Sequence, residues 1–287
     1  MTIKIAAAQY DIGFLETWAN YQSKIERWVQ EAADEGAKIL VFPEYGSMEL
    51  ASLFSEEIYK SLEKQLDAIQ SLHDAYVDLY RSLAQQYSCY IQAGTFPVKI
   101  ENGDYRNRAY LFWPDGRYDF QDKLQMTRFE NEQWLIKSGV ALKCFDTDYG
   151  KIAINVCYDS EFPLLARKQV EAGANLILVP SCTDTVAGYH RVRIGCQARA
   201  LENQCFVVQS PTVGNALWSE AVDVNVGAAA IYTPVDRGFP DNGIAAIGEL
   251  NATQWVYADI SLTEIAKVRA EGQVFNYRDW PLQERFI

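Results

Sequence analysis

Gly150-Lys-Ile-Ala-Ile-Asn-Val-Cys157-Tyr-Asp-Ser-Glu-Phe-Pro163 is the stretch on which the fold turns. Ile152, Ile154 and Val156 recur with the period of a strand, and that strand carries a cysteine to its carboxyl end. A turn follows, then a helix over residues 163–172 and a second strand, Asn175-Leu-Ile-Leu-Val-Pro180. Strand, turn, helix and strand in that order are the grammar of an open α/β sheet. Such a sheet presents reactive groups to a ligand crevice at the carboxyl ends of its strands.

The same grammar holds upstream. The opening run Met1-Thr-Ile-Lys-Ile-Ala-Ala-Ala-Gln-Tyr10 reads as a strand, and Trp18, Tyr21, Ile25, Trp28, Val29 and Ala32 recur at helical spacing up to Gly36. Ala37-Lys-Ile-Leu-Val-Phe42 is a buried strand closed by Pro43-Glu44-Tyr45, and a long helical region follows, with one apolar stripe from Ile58 to Leu83. From Tyr87 the period changes to two. Residues 89–100, 109–113 and 117–123 read as an antiparallel meander joined by Asn102-Gly103-Asp104 and Pro114-Asp115-Gly116. The long stretch after Lys123 reads as a loop, and loops of that length are usually functional.

Downstream, a helix over 191–202 leads into Cys205-Phe-Val-Val-Gln209, and strands near 227–232, 243–248 and 255–260 precede a helix over 262–269. Glu35-Gly-Ala-Lys-Ile-Leu-Val-Phe-Pro-Glu44 echoes Glu171-Ala-Gly-Ala-Asn-Leu-Ile-Leu-Val-Pro180. Two related half-sheets packed face to face, with helices outside both, would produce that echo, and so would ordinary αβ grammar. No linker or low-complexity segment interrupts the 287 residues, so one domain over 1–287 is expected, with an irregular aromatic tail from about 270.

Composition narrows the function. A net charge of −12 without a basic cluster disfavours nucleic acid and anionic membranes. No apolar run approaches the ~18 residues of a membrane span. The amino terminus reads as strand and not as a signal or transit peptide. Six cysteines without CxxC spacing fit reduced thiols in a cytoplasm better than disulfides or zinc. No nucleotide-binding glycine motif or metal-ligand spacing appears, so no cofactor is expected.

Glu44, Lys123 and Cys157 each follow a strand, and adjacent strand ends in one sheet would bring them together. Their chemistry is complementary. A carboxylate can take the thiol proton, the thiolate can attack, and an ammonium can stabilise the oxyanion that develops. Only two histidines are present, His73 in a helical stripe and His190 near a helix start, and neither is needed for this set.

The surrounding words carry a family resemblance. Phe42-Pro43-Glu44, Asp122-Lys123-Leu124 and Cys157-Tyr158-Asp159 with Phe162-Pro163 resemble the three signature blocks of the nitrilase superfamily of carbon–nitrogen hydrolases. Val179-Pro180-Ser181 and Arg199-Ala200-Leu201-Glu202-Asn203 look like its later blocks. The resemblance implies an αββα sandwich of two mixed sheets that assembles as a homodimer or larger oligomer. It also implies a catalytic Glu44, Lys123 and Cys157 acting through a thioester. A second glutamate is expected in the loop after the lysine. Counting back from Gly139 in the family's spacing favours Glu132, with Glu130, which directly follows Phe129, as the competitor.

Candidate substrate contacts are Tyr45, Trp134, Tyr158, Glu161, Ser181 and Cys182, which flank the proposed acids, the nucleophile or the Pro180 strand end. Glu161 and Asp184 suit a cationic substrate, whereas Arg191 or Arg193 suit a carboxylate, so the charge of the substrate stays open. Arg199, Glu202 and Asn203 read as a buried polar network at a helix end. Nitrilases proper resemble Cys-Trp-Glu, whereas this chain has Cys157-Tyr158-Asp159, as amidase-like branches do. Hydrolysis of a small amide to an acid and ammonia or an amine is therefore the first expectation. Nitrile or N-carbamoyl amide hydrolysis is the alternative within the family, and a catalytically silent interaction protein of the same fold is the alternative outside it.

Overall fold

The computed structural model describes residues 2–286. Five strands of the first half of the chain, β1 (Thr2–Asp11), β2 (Ile39–Phe42), β3 (Tyr90–Lys99), β4 (Tyr105–Phe112) and β5 (Tyr118–Asp122), form one sheet. The strand β13 (Gln254–Ser261) closes it beside β1 from the far end of the chain. The second sheet holds β6 (Cys144–Thr147), β7 (Gly150–Ile154), β8 (Ala174–Ser181), β9 (Phe206–Asn215), β11 (Ala230–Tyr232) and β12 (Ile244–Ile247). A two-residue strand, β10 (Val224–Asn225), pairs with the end of β9. The sheets touch edgewise where Tyr10 and Asp11 pair with Thr212 and Val213.

Strand alternation builds the layers. Ile3, Ile5 and Ala7 of β1 face the second sheet in one cluster with Ile154, Val156 and Val179. Ala6, Ala8 and Tyr10 of the same strand face the other way, against Tyr21, Ile25 and Val29 of helix α1 (Trp18–Asp34). The second sheet is covered on its outer face by helices over Pro163–Glu171 and Val186–Asn203, which contribute Ala166, Val170, Val192 and Cys196. Helix, sheet, sheet and helix make the expected αββα sandwich. The two echoed segments end in β2 and β8, which lie across from each other, each flanked by parallel neighbours. The Ser210 hydroxyl ties the halves together, donating to the carbonyls of Ala8 and Val41 at 2.7 and 2.9 Å.

Several boundaries differ from the sequence reading, each for a local reason. The single long helical region is broken into Glu56–Tyr59, Leu62–Ile69 and His73–Tyr87. Ser61 caps the middle piece, and Gln70 turns its side chain to the backbone of Pro97 and Lys99 on β3. The strand expected from residue 109 begins at Tyr105, because polar Asn107 occupies an inward position that breaks the apolar alternation. The helix expected from residue 191 begins at Val186, where Thr185 accepts the Gly188 N–H at 3.0 Å. The tail contains short helical turns over Asn276–Asp279 and Trp280–Phe286. Its Phe275, Tyr277 and Trp280 are half-buried on their own chain. The Arg167 guanidinium donates to the Tyr277 carbonyl at 3.2 Å and lies over the rings of Tyr277 and Trp280. Among the described residues no helix is long and apolar enough to cross a membrane.

Candidate active site

The three proposed catalytic residues converge, but not at adjacent strand ends of one sheet. Glu44 follows β2 and Lys123 follows β5, which are separated in the first sheet by β3 and β4. Cys157 follows β7 in the second sheet. The site therefore forms between the sheets, and the sandwich, not one strand order, brings the groups together.

Backbone strain and close packing aim each residue. Cys157 opens a 3-10 turn, Cys157–Glu161, at φ +49°, in the left-handed region that non-glycine residues rarely occupy. Tyr45, next to Glu44, sits at φ +56°. Gly94 of β3 runs against the Pro43 carbonyl, where an added Cβ would come within 2.2 Å. Gly139 donates its N–H to the Lys123 carbonyl at 2.8 Å, so the loop leaves and returns at the lysine. A Cβ at Gly139 would lie 2.8 Å from the Cβ of Asp122.

One buried ammonium is shared by two buried carboxylates. Lys123 Nζ lies 2.8 Å from Glu44 Oε1, and 2.8 and 2.7 Å from the two oxygens of Glu130. All three side chains are at most 3% exposed. Asn107 donates to Glu44 at 2.8 Å and to Glu130 at 3.3 Å. Glu130 also accepts from the Tyr45 hydroxyl at 2.7 Å and from the N–H and hydroxyl of Thr127 at 2.9 and 2.8 Å. Cys157 lies beside this cluster, and its thiol points to the Cys182 carbonyl at 3.7 Å.

The two carboxylates are pushed apart in acidity, and that difference separates their roles. Burial raises the pKa of Glu44, the attraction of Lys123 only partly offsets it, and the charge of Glu130 adds to the rise. For Glu130 burial acts in the same direction, but Lys123, Tyr45 and Thr127 outweigh it and hold the group below the usual carboxylate range. Burial would lower Lys123, yet Glu130 and Glu44 hold it well above the usual lysine range. Burial and the neighbouring Glu44 push the Cys157 thiol well up, and Lys123 pulls the other way. The resting site thus holds a protonated thiol, a fixed ammonium, a firmly ionised Glu130 and a more basic Glu44.

A cavity of about 410 Å³ opens onto these groups. Tyr45, Trp134, Tyr158, Glu161 and Cys182 line it, as the sequence reading expects. The ring centroids of Tyr45 and Trp134 lie 4.7 Å apart and make an aromatic wall. Ser181 does not reach the cavity. Strand alternation turns it into the core, where its hydroxyl donates to the Ser210 carbonyl at 3.4 Å, while Cys182 faces the cavity.

Glu132 does not stand against Lys123 either. It is exposed and pairs with Arg128 at 2.8 Å, whereas both oxygens of Glu130 accept from Lys123. The reason is the helical turn Glu130–Trp134. Residues four apart share a face, so Glu130 points inward with Trp134, and Glu132 points outward. Trp134 four residues after Glu130 was the signal in the sequence that could have separated the two glutamates. Asn107 was missed altogether, because only its contacts across the sheet distinguish it from a turn residue.

Arg128 and Arg191 both line the mouth, and each already faces a carboxylate: Glu132 for Arg128, and Glu161 at 3.7 Å for Arg191. Asp184, Glu220 and Asp223 line the same mouth. Arg193 does not reach the cavity. Among the described residues no three His, Cys, Asp or Glu side chains gather as a metal-ligand set.

Comparison with known proteins places this architecture. The family model described as carbon-nitrogen hydrolase matches residues 4–270. The probable hydrolase YhcX of Bacillus subtilis strain 168 is 37% identical over 277 residues, which are 96% of this chain and 53% of that protein. The chain thus spans about half the length of that relative. Omega-amidase NIT2 of Danio rerio is 24% identical over 285 residues, 96% of this chain and 94% of that protein. The crystal structure of Saccharomyces cerevisiae Nit3, a member of branch 10 of the nitrilase superfamily, matches with a TM-score of 0.75 at 22% identity. It covers 94% of this chain and 93% of that one, a likeness of fold.

Proposed function

The chain belongs to the carbon–nitrogen hydrolase family, and on that premise we propose that it hydrolyses a small non-peptide amide to a carboxylic acid and ammonia or an amine through a Cys157 thioester. The observation that carries the proposal is the ammonium of Lys123 held between Glu44 and Glu130 beside the Cys157 thiol, on the wall of the cavity.

Glu44, the more basic carboxylate, takes the Sγ proton as sulfur attacks the amide carbon. The carbonyl electrons move onto oxygen, where Lys123 Nζ and the Tyr158 N–H, at the open start of the Cys157 turn, offset the new charge. Collapse breaks the C–N bond, and Glu44 returns its proton to the leaving nitrogen. Glu44 next deprotonates water as the water oxygen attacks the thioester. The C–S bond breaks, Glu44 returns that proton to Sγ to restore the thiol, and the acid leaves. Glu130 remains ionised throughout and keeps Lys123 charged and still.

A panel of matched amides, nitriles and N-carbamoyl compounds tests the reaction. Amides are expected to be turned over fastest, in the presence of EDTA and not after iodoacetamide. Acid released faster from nitriles than from the matching amides would instead make the protein a nitrilase. Absence of both turnover and an acyl adduct on Cys157 would leave a silent protein of the same fold.

The mouth of the cavity adds a substrate preference. Because Arg128 and Arg191 already face carboxylates, Asp184, Glu220 and Asp223 set the remaining charge. Amides with a neutral or amine-bearing far end should exceed carboxylated analogues by about tenfold in kcat/KM at low salt, and the gap should narrow as salt rises. Equal values for the two classes would remove this preference.

The functional unit is a two-fold homo-oligomer. Leu164 on the helix after Cys157, with Ile194 and Leu201 one face apart on the next helix, exposes 64%, 64% and 42% of its surface in turn, apolar area that a second copy would cover. Sedimentation at micromolar concentration should show a dimer or larger species for the wild type and monomer for Ile194→Asp. A wild type that sediments only as monomer contradicts the assembly.

A further inference from the structure

We propose that Asp159 is the positioning residue that locks the lysine loop to the cysteine turn and so sets where Lys123 stands relative to Cys157. The inference rests on the catalytic reading above. Asp159 is 2% exposed, and its two oxygens are spread over two separate segments. One oxygen, Oδ1, accepts the N–H groups of Gln125 at 2.7 Å and Leu124 at 3.1 Å, the two residues that follow Lys123. The other, Oδ2, accepts the Val156 N–H at 3.2 Å, immediately before Cys157, and the Leu124 N–H at 3.2 Å.

Little else joins these segments. Lys123 donates its own N–H to Asn107, and Asn155 donates to Leu178, so each segment is tied to its own sheet. Among the described residues no backbone hydrogen bond runs directly from residues 123–125 to residues 155–158. The ammonium contacts of Lys123 fix it to Glu44 and Glu130 but leave the distance to sulfur unset. The Asp159 carboxylate therefore bridges the two sheets at the point where the oxyanion would form.

The chemistry requires a carboxylate there and not merely a polar side chain of that shape. Every group facing it is an N–H donor, and only an anion offers two acceptor oxygens. Burial pushes the group's pKa up to about 7, against the pull of Lys123 and of the N–H donors of Gln125, Leu124 and Val156. An asparagine can satisfy one segment only. Whichever way its amide is turned, the NH2 meets either Val156 or the lysine loop, donor against donor.

Asp159→Asn, assayed with the amide that the wild type turns over best, tests this. Rates are normalised to Cys157 sites titrated with iodoacetamide in protein first isolated as the folded species by gel filtration, so that misfolded molecules are not counted. The expected result is a fall in kcat of about 100-fold with KM within threefold, the signature of misplaced reacting groups and not of lost binding. A Tm that falls while kcat per titrated site stays within threefold of wild type overturns the proposal. If Asp159→Asn does not fold, Asp159→Glu replaces it, since it keeps both acceptors but moves them out by a methylene. The same fall in kcat is then expected, and the same threefold limit decides. Failure of both variants to fold would make Asp159 a folding residue and overturn the positioning role. A wild type that hydrolyses no amide would instead remove the catalytic reading beneath it, a result distinct from an active Asp159→Asn.

Discussion

Cys157→Ala should leave a folded protein whose amide hydrolysis is reduced by at least about 10⁴-fold, because it removes the thiol that Glu44 is placed to deprotonate. The fold should survive. The thiol makes one weak contact, to the Cys182 carbonyl at 3.7 Å, and alanine occupies the left-handed backbone conformation no worse than cysteine does. Cys182 is the competitor, since it lines the same cavity. Burial, then the charge of Glu44, pushes its thiol up to about 12, and it directs that thiol to Asn225 at 3.4 Å. Cys157 is also raised, but it has Glu44 at hand to take its proton as it attacks. Intact-mass analysis with a slow substrate should therefore place one acyl group on Cys157 in the wild type and none in the variant. An adduct on Cys182, or activity retained in Cys157→Ala, would sink the mechanism.

Glu130→Gln should lower kcat by roughly 10²–10³-fold and destabilise the protein by about 3–5 kcal/mol, the usual range when one partner of a buried ion pair is removed. The shape is kept, but the charge that holds Lys123 is lost. The ammonium then has Glu44 as its only carboxylate, which lowers the basicity of Glu44 and makes it a poorer acceptor for the thiol proton. The pH dependence has a defined sign. Glu130 is held below its unfolded pKa, so its stabilisation is fully present above about pH 4.3 and is lost as the pH falls through the lower folded value. Thermal unfolding of the wild type should show that acid-side loss, and Glu130→Gln should lack this part of it. Glu132→Gln should leave kcat within about twofold, because it removes only an exposed partner of Arg128. Kinetics with the two variants ranked the other way would return the role to Glu132.

The parts of this protein that were legible in its sequence are those set by short-range pattern. Ile152, Ile154 and Val156 announce a strand because side chains alternate across a sheet wherever it lies. Thr2–Asp11 and Ile39–Phe42 read as strands for similar reasons, and the echo between the segments ending in Glu44 and Pro180 marks strands that lie opposite each other across the core. Glu44, Lys123 and Cys157 stood out because each directly follows such a strand and because their neighbours resemble one family's blocks. Of the six candidate substrate contacts, Tyr45, Tyr158, Glu161 and Cys182 border the cavity near those strand ends, and Trp134 reaches it from the helical turn Glu130–Trp134.

Local periodicity in the sequence therefore determined most of the strands and the strand-end placement of Glu44, Lys123 and Cys157, while the layers of the sandwich and the class of bond were what the resemblance of the surrounding blocks to one family implied. Tertiary structure alone decided which groups meet. Glu130 and Glu132 stand two residues apart in a single helical turn, and the packing of Trp134 against Tyr45 selects the inward face. Ser181 at the end of β8 turns into the core and Cys182, just past it, borders the cavity, and which of the two does so depends on how the sheets dock. Asn107 and Asp159 became visible only through hydrogen bonds that cross 63 and 35 residues of chain. A contact of that kind is fixed by how two sheets dock, and docking depends on the whole core at once, which no single stretch of residues contains.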